Sequence, residues 1–154
     1  MQIYLMRHGT AQTPFSGGEQ KLTAAGKVGV QQTADYIKNE NITFDIIVSS
    51  PKLRARQTAG IVADTIDYPK ADIVLDESLT PNAATSDTMR FLSRFKDKRS
   101  ILAVGHLPSM PRLAAAMISV SFTHPFPNAN LYRIDADTIP PSQAEFMLLF
   151  SPDS

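Results

Sequence analysis

Short apolar runs alternate along this chain with segments in which apolar residues recur at helical spacing. The apolar runs, each suited to a buried strand, occupy residues 2–6, 44–48, 71–75, 101–105, 131–134 and 145–150. Alternating strands and helices favour an α/β fold, a three-layer α/β/α sandwich with a sheet of about six strands. Because 154 residues suffice for one domain with a core and fall short of two, we expect a single domain over residues 1–154.

The composition narrows the classes of function. The 15 lysines and arginines equal the 15 aspartates and glutamates, so no global field attracts nucleic acid or an anionic membrane. The chain has no cysteine, which excludes disulfides, thiolate metal sites and a cysteine nucleophile. The apolar start is interrupted at Arg7, and no run is long enough to span a membrane. We therefore expect a cytoplasmic, monomeric enzyme or binding domain.

Charged and polar side chains arrive where the first strand ends. Arg7 and His8 follow the apolar run together, and Gly9 allows the backbone to turn sharply and approach a ligand. In an open α/β sheet, ligands bind beyond the carboxyl ends of the strands. Arg7 and His8 are therefore candidates for one edge of an active site.

A helix start follows the second strand. Ser50 suits the N-cap and Pro51 the first helical position, which predicts a helix from there to about Ile66. The free N–H groups and the dipole at its amino end favour a phosphate, with Ser50 as a candidate phosphate contact. Arg54, one turn into the helix, can reach back toward that end. Arg56 lies on another face, and we expect it to be exposed or paired.

The fourth strand is followed directly by a histidine, so three strand ends should meet at one edge of the sheet. The residues brought together there would be Arg7, His8, Ser50, Arg54 and His106. Two guanidinium groups, two imidazoles and a helix amino end suit a tetrahedral dianion, because arginine offers paired donors to phosphoryl oxygens. We expect phosphate or sulfate to bind in this pocket.

A neutral imidazole among cations is a competent nucleophile. The ordinary histidine pKa of about 6.5 leaves the ring mostly neutral at cellular pH, and nearby arginines lower that pKa further. His8 would attack phosphorus and form a phosphohistidine that water hydrolyses, while its other ring nitrogen bonds a backbone carbonyl. No base is placed by sequence near Ser49 or Ser50, and His124 is a loop histidine with no predicted role. No histidines or carboxylates show metal-ligand spacing, so we expect no metal and no other cofactor.

These residues form part of a series of short motifs in a familiar order. The series comprises Met6–Gly9, Leu22-Thr23 with Gly26, Ser49–Pro51, Arg54-Ala55 with Gln57-Thr58, and Val104–His106. It resembles the histidine phosphatase (phosphoglycerate mutase-like) superfamily, and its short length and Arg-Ala-x-Gln-Thr stretch look most like SixA-type phosphohistidine phosphatases. The resemblance implies a mixed, mostly parallel sheet with one antiparallel strand, flanked by helices. It also implies that His8 is phosphorylated and that Arg7, Arg54 and His106 bind the phosphoryl group.

Two positions depart from the pattern of the superfamily. Many relatives carry an arginine two residues before the Leu-Thr pair, where this chain has Gln20 with Lys21 beside it. A distal substrate contact is therefore expected to differ. Larger members use a glutamate as general acid near the position of Asp76 and Glu77, which makes Glu77 a candidate acid. The alternative for Glu77 is a solvated loop carboxylate.

The leading hypothesis is a metal-independent phosphatase that removes phosphate from phosphohistidine on a protein, such as a phosphotransfer domain or a phosphocarrier. The short segment between Thr58 and Ile101 leaves little chain for a lid, so the site should be open enough for a protein side chain. A second hypothesis keeps the nucleophile but assigns a small phosphate monoester as the substrate. A third is a binding module for phosphorylated ligands without catalysis.

Overall fold

Strands and helices alternate through most of the chain, as the apolar runs predicted. The computed structural model describes residues 1–14, 18–121 and 125–152, so part of the predicted loop at 11–21 and all of His124 lie outside the described residues. The strands are β1 Gln2–Arg7, β2 Ile46–Ser49, β3 Val74–Leu75, β4 Ser100–Gly105, β5 Leu131–Ala136 and β6 Ala144–Phe150. The helices are α1 Ala24–Asn39, α2 Leu53–Thr65, α3 Thr85–Ser93 and α4 Ser109–Ile118, with single 3-10 turns at Lys70–Asp72 and Glu77–Leu79.

The strands form one sheet with the order β3-β2-β4-β1-β5-β6. Strand β5 pairs antiparallel with both β1 and β6, while β1, β2, β3 and β4 pair in parallel. The mixed sheet with one antiparallel strand is therefore confirmed. In the register, Arg7 lies opposite Gly105 and Ser49 lies opposite Val104, so three neighbouring strands end at almost the same level.

Alternate residues of the central strands pack against the two helical layers. On one face the buried side chains include Ile3, Leu5, Ile101, Leu92 and Leu113, which join the sheet to α3 and α4. On the other face they include Tyr4, Met6, Leu102, Val30 and Val62, which join it to α1 and α2. Each fully buried large apolar side chain contributes about 1.5–3 kcal/mol. This burial holds the three layers together, as expected for the sandwich.

Two predicted elements are shorter than the sequence indicated. Helix α2 begins at Leu53, so the predictions of Ser50 as N-cap and Pro51 as first helical residue are wrong; the Ser50 hydroxyl instead accepts from the Lys52 N–H at 3.2 Å. The third strand was predicted over residues 71–75 but only its last two residues pair with β2. The Ile73 N–H bonds Lys70 O within a 3-10 turn, which removes it from the ladder.

Helix α1 begins as predicted and packs directly on the chain that leaves β1. The Thr23 hydroxyl caps it by accepting the Gly26 N–H at 2.9 Å. A Cβ atom on Gly26 would lie 2.0 Å from Thr10 O, so only glycine permits this close approach of the two backbones. The helix therefore supports the segment that follows the strand end. Within the described ranges, no helix is both long and apolar enough to cross a membrane.

Candidate active site

The backbone around His8 is held from three directions at the carboxyl end of β1. The His8 N–H donates to Gly105 O of β4 at 3.0 Å. Its carbonyl accepts from Asn128 Nδ2 at 3.0 Å and from the Ala129 N–H at 3.3 Å. Strand β4 and the segment before β5 thus fix the position of this histidine, which keeps 8% of its surface exposed.

The His8 ring is bonded in a way that determines its tautomer. Its Nδ1 lies 2.7 Å from Gly9 O. Because a carbonyl oxygen can only accept, neutral His8 carries its proton on Nδ1 and presents a bare lone pair at Nε2. Nε2 has no hydrogen bond to any residue that the structure describes. The predicted backbone carbonyl contact is confirmed, and the free Nε2 is suited to nucleophilic attack.

His106 lies beside His8 after the end of β4. The centroids of the two rings are 4.9 Å apart and the ring planes are inclined by 59°. His106 Nε2 lies 2.8 Å from Ser50 Oγ, and both residues are buried. Three strand ends therefore do converge, because the imidazoles come from β1 and β4 and the hydroxyl follows β2.

Two guanidinium groups act on this pair of rings. Arg7 is partly buried, and its Nη1 donates to Phe126 O at 3.3 Å. Arg54 is the second residue of α2 and is also partly buried. The charges of Arg7 and Arg54 both lower the pKa of His8 and of His106, so the predicted arginines lie within electrostatic reach of both rings.

Burial is the main reason that both imidazoles are neutral. Loss of solvent lowers the pKa of His8 to about 4, with Arg54 and Arg7 lowering it further against the opposing hydrogen bond to Gly9. Burial is also the main cause that lowers the pKa of His106 to about 3. Repulsion from His8 when that ring is protonated, and then from the charges of Arg54, Lys52 and Arg7, lowers it further. A neutral His8 keeps its Nε2 lone pair available at pH 7.

Two neighbouring side chains of α2 support the segment around the nucleophile candidate. Thr58 Oγ1 accepts the Gly9 N–H at 3.0 Å and donates to Arg54 O at 2.8 Å. Gln57 Oε1 accepts the Leu22 N–H at 2.8 Å. Sequence reasoning included this Gln-Thr pair only as part of a motif and missed what it does. The sequence feature that could have indicated this role is the position of the Gln-Thr pair on the same helix as Arg54.

Among the described residues, the other positions named from the sequence make no hydrogen bond to His8 or His106. The Glu77 carboxylate is exposed and makes no hydrogen bond or ion pair with any described residue. Gln20 donates from Nε2 to Gln12 O, so its amide is turned to the backbone of its own loop. Arg56 is exposed as predicted, with its Nη2 3.6 Å from Glu19 Oε2. Glu19 also opposes the effect of burial on the pKa of Arg54.

Comparisons with known proteins agree with this geometry. A sequence model of the histidine phosphatase superfamily (branch 1) matches residues 3–81. The chain belongs to the histidine phosphatase superfamily. Phosphohistidine phosphatase SixA of Escherichia coli (strain K12) is 31% identical to it over 120 residues, which cover 76% of this chain and 74% of that protein. The predicted resemblance to SixA-type enzymes is confirmed, and the similarity supports phosphatase activity.

Solved structures share the fold over nearly the whole chain. The structure of the protein histidine phosphatase SixA complexed with tungstate has a TM-score of 0.89 at 24% identity, covering 99% of this chain and 97% of that one. The α-ribazole phosphatase from Shigella flexneri has a TM-score of 0.76 at 18% identity, with 98% and 96% covered. These likenesses confirm the predicted three-layer α/β fold.

The superfamily site contains cations but no cluster of metal ligands in the part of the chain that the structure describes. No group of three or more histidines and carboxylates is placed there to hold a metal ion. The cationic side chains near the two rings include the guanidinium groups of Arg7 and Arg54. Such donors form short, strong hydrogen bonds with anionic oxygens.

Acid should destabilise this superfamily member because both site imidazoles are neutral in the folded state. Their folded pKa values, about 4 for His8 and about 3 for His106, lie below the unfolded value of about 6.5, so the unfolded chain binds more protons. The stabilising contribution of the neutral rings is complete above about pH 6.5 and is lost as the pH falls toward the folded values. At about 1.4 kcal/mol per pKa unit, His8 alone accounts for about 3 kcal/mol.

This pH dependence can be measured by urea unfolding between about pH 7 and about pH 4.5. The free energy of unfolding should fall steadily over that range, and His8→Asn should remove part of the slope. A wild-type slope that matches the slope of His8→Asn would contradict the assignment, as would NMR titration of both rings near the ordinary value.

Thr58→Val should lower both the free energy of unfolding and the kcat/KM of the protein. The substitution keeps the shape but leaves the buried Gly9 N–H without an acceptor, which costs about 1–3 kcal/mol of the free energy of unfolding. Because Gly9 O holds the His8 ring, kcat/KM should fall about tenfold with it. Thr58→Ser keeps the hydroxyl and is the matched control. Equal stability and activity in both variants would show that the contact is unimportant.

Proposed function

We propose that this protein removes the phosphoryl group from phosphohistidine on another protein, through a phosphohistidine intermediate on its own His8 and without a metal ion. The observation that carries the proposal is the His8–His106 pair, with ring centroids 4.9 Å apart. Within that pair, the bond from Nδ1 to Gly9 O leaves His8 Nε2 free to attack. The tungstate bound by SixA in its solved structure supports an oxyanion site in a similar fold.

The phosphoryl group is transferred twice, first to His8 and then to water. His8 Nε2 attacks phosphorus while the bond from phosphorus to the substrate imidazole breaks. That imidazole is protonated beforehand on its other ring nitrogen and leaves as neutral imidazole. Water then attacks the phosphohistidine, which yields inorganic phosphate and regenerates His8. Arg7, Arg54 and His106 bind the equatorial oxygens, where charge is spread in the transition state. Preorganised donors act more strongly in such a buried site than in water.

The shape of the chain around the site supports a protein substrate. Between α2 and β4 the described chain forms only β3, two 3-10 turns and α3. Phe91 and Leu92 of α3 pack in the same core as Leu113 of α4, so this helix belongs to the layer beneath the sheet. Little chain is therefore left to enclose a small substrate. The cytoplasmic location, the monomeric state and the phosphate contact of Ser50 stay predictions.

The test is hydrolysis of a phosphorylated phosphotransfer domain or phosphocarrier in the presence of EDTA. We expect release of inorganic phosphate that EDTA does not inhibit. Loss of activity with chelator, restored by a divalent cation, would overturn metal independence. A panel of sugar phosphates and nucleotides is the parallel arm, and a preference of several orders of magnitude in kcat/KM for one of them would favour a small monoester. Glu77→Gln belongs in that arm, because a monoester needs an acid for its leaving group.

A further inference from the structure

A third cationic side chain, that of Lys52, lies near the two imidazole rings. Lys52 directly precedes α2, and its backbone N–H donates to Ser50 Oγ at 3.2 Å. That oxygen lies 2.8 Å from His106 Nε2, and the charge of Lys52 lowers the pKa of His106. The backbone of Lys52 is therefore held next to a residue that contacts the ring, and its ammonium group lies within electrostatic reach of the ring.

The ammonium group of Lys52 has no carboxylate as a partner in the described part of the chain. The side chain is exposed, and its Nζ makes no ion pair or hydrogen bond with any described residue. Glu19, whose charge opposes the effect of burial on the pKa of Arg54, has its own cation in Arg56 at 3.6 Å. Lys52 can therefore bind an acidic group from another molecule.

The charges around the rings do not balance when a phosphoryl group is bound. Apart from the rings themselves, the charged side chains that lower the pKa of His8 or His106 are Arg7, Lys52 and Arg54, and all three are cations. A phosphate group on a side chain carries a charge of about −1.5 to −2 at pH 7, which two guanidinium groups offset. The positive charge of exposed Lys52 is then left without a counter-charge.

We propose that Lys52 is a docking residue that binds an acidic side chain next to the phosphohistidine of the protein substrate. The inference rests on the proposed function and narrows the substrate to phosphoproteins with an aspartate or glutamate near the phosphorylated histidine. When that histidine approaches His8, the surface around it comes to lie over the exposed residues beside the site. Complementary charges there speed association, and a partner that presents a lysine or arginine at this point is repelled.

Lys52→Glu tests the contact by reversing the charge. The substrate is a phosphorylated phosphotransfer domain that has carboxylates around its histidine. We expect its KM to rise about tenfold while kcat changes less than about twofold, because an exposed ion pair acts on association and not on the reacting atoms. Phosphoimidazole has the same phosphorus–nitrogen bond but no carboxylate, so its kcat/KM should fall no more than about threefold. An equal loss on both substrates would mean that Lys52 binds the phosphoryl group itself and would overturn the proposal.

Lys98→Glu is the matched control, because it makes the same change of net charge far from the site. Lys98 is exposed, forms no ion pair with a described residue and precedes β4, whereas His106 follows that strand. The six residues of β4 span about 20 Å. We expect wild-type kinetics in this control. An equal rise of KM in Lys98→Glu would show general attraction of an acidic partner and reject the role of Lys52.

Substitutions in the phosphotransfer domain identify the partner of Lys52. Each carboxylate near the phosphorylated histidine is changed to lysine, and one such change should return the KM of Lys52→Glu to within about threefold of the original pair. The proposal fails if none does. If the wild-type protein hydrolyses neither the domain nor phosphoimidazole, the proposed function has failed. The affinity for the phosphorylated domain, compared by calorimetry between wild type and Lys52→Glu, then decides whether Lys52 binds it.

Discussion

His8→Ala is expected to abolish turnover, with a loss of kcat on the order of 10⁴-fold or more. The substitution removes the bare Nε2, which attacks phosphorus in the mechanism that we propose, and leaves the surrounding donors without that nucleophile. Turnover is measured as release of inorganic phosphate from the phosphorylated protein. The matched control is His124→Ala, since the chain has three histidines and His124 has no predicted role. We expect that control to retain full activity.

The same pair of variants tests the intermediate itself. Rapid quenching of the wild-type reaction in alkali should trap phosphate on His8, because phosphohistidine is labile to acid and survives base. His8→Ala should trap none, and His124→Ala should trap the wild-type amount. Full activity in His8→Ala, or the absence of trapped phosphate during wild-type turnover, would reject the covalent route. A wild-type protein that binds the phosphorylated substrate but neither releases nor traps phosphate would revive a binding module without catalysis.

Arg54→Ala should reduce kcat/KM by about 10²–10³-fold, the second largest effect that we expect. The charge of Arg54 lowers the pKa of both imidazoles, so its guanidinium lies within electrostatic reach of the two rings between which we propose that the phosphoryl group is transferred. Arg56→Ala is an apt control because Arg56 is two residues further along α2, exposed and paired with Glu19. Its removal should change activity less than about twofold.

The two arginine variants separate binding from general stability. Both should unfold at nearly the wild-type temperature, because neither guanidinium is fully buried. The affinity for vanadate or tungstate, measured by calorimetry, should fall in Arg54→Ala and persist in Arg56→Ala. Equal losses of affinity in the two variants would mean that the anion is attracted by the overall positive charge of the region and not by a specific hydrogen-bond donor on Arg54.

The alternation of strands and helices along the chain, and the edge of the sheet where the candidate residues meet, could be predicted from the sequence. Apolar runs of strand length mark β1, β2 and β4, and the carboxyl ends of parallel strands necessarily share an edge. This rule was enough to bring His8 and His106 together from positions 98 residues apart, which is the difference of their residue numbers. The residue types then indicated the chemistry, because arginine and imidazole suit a phosphoryl group.

Contacts between distant segments could not be predicted in the same way. Ser50 looked like a helix cap because its local sequence favours one, but the ring of His106 and the Lys52 N–H engage its hydroxyl and the helix begins later. The bond from Asn128 Nδ2 to His8 O joins residues 120 positions apart and follows no local pattern. Contacts with residues distant in sequence determine where a helix begins and which hydrogen bonds form, and these contacts cannot be derived from the local pattern of a single sequence.

The adjacent side chains of Gln57 and Thr58 hold the Leu22 and Gly9 N–H groups, so both ends of the intervening stretch are fastened to one turn of α2. Changes of length between those two anchors should therefore leave the contacts that support Gly9 and Leu22 in place. Doubling a flexible connection costs only about 0.6 kcal/mol in closure entropy. An epitope or a fluorescent tag inserted between the two anchors should leave both backbone contacts in place, which makes this stretch a convenient place to label the protein.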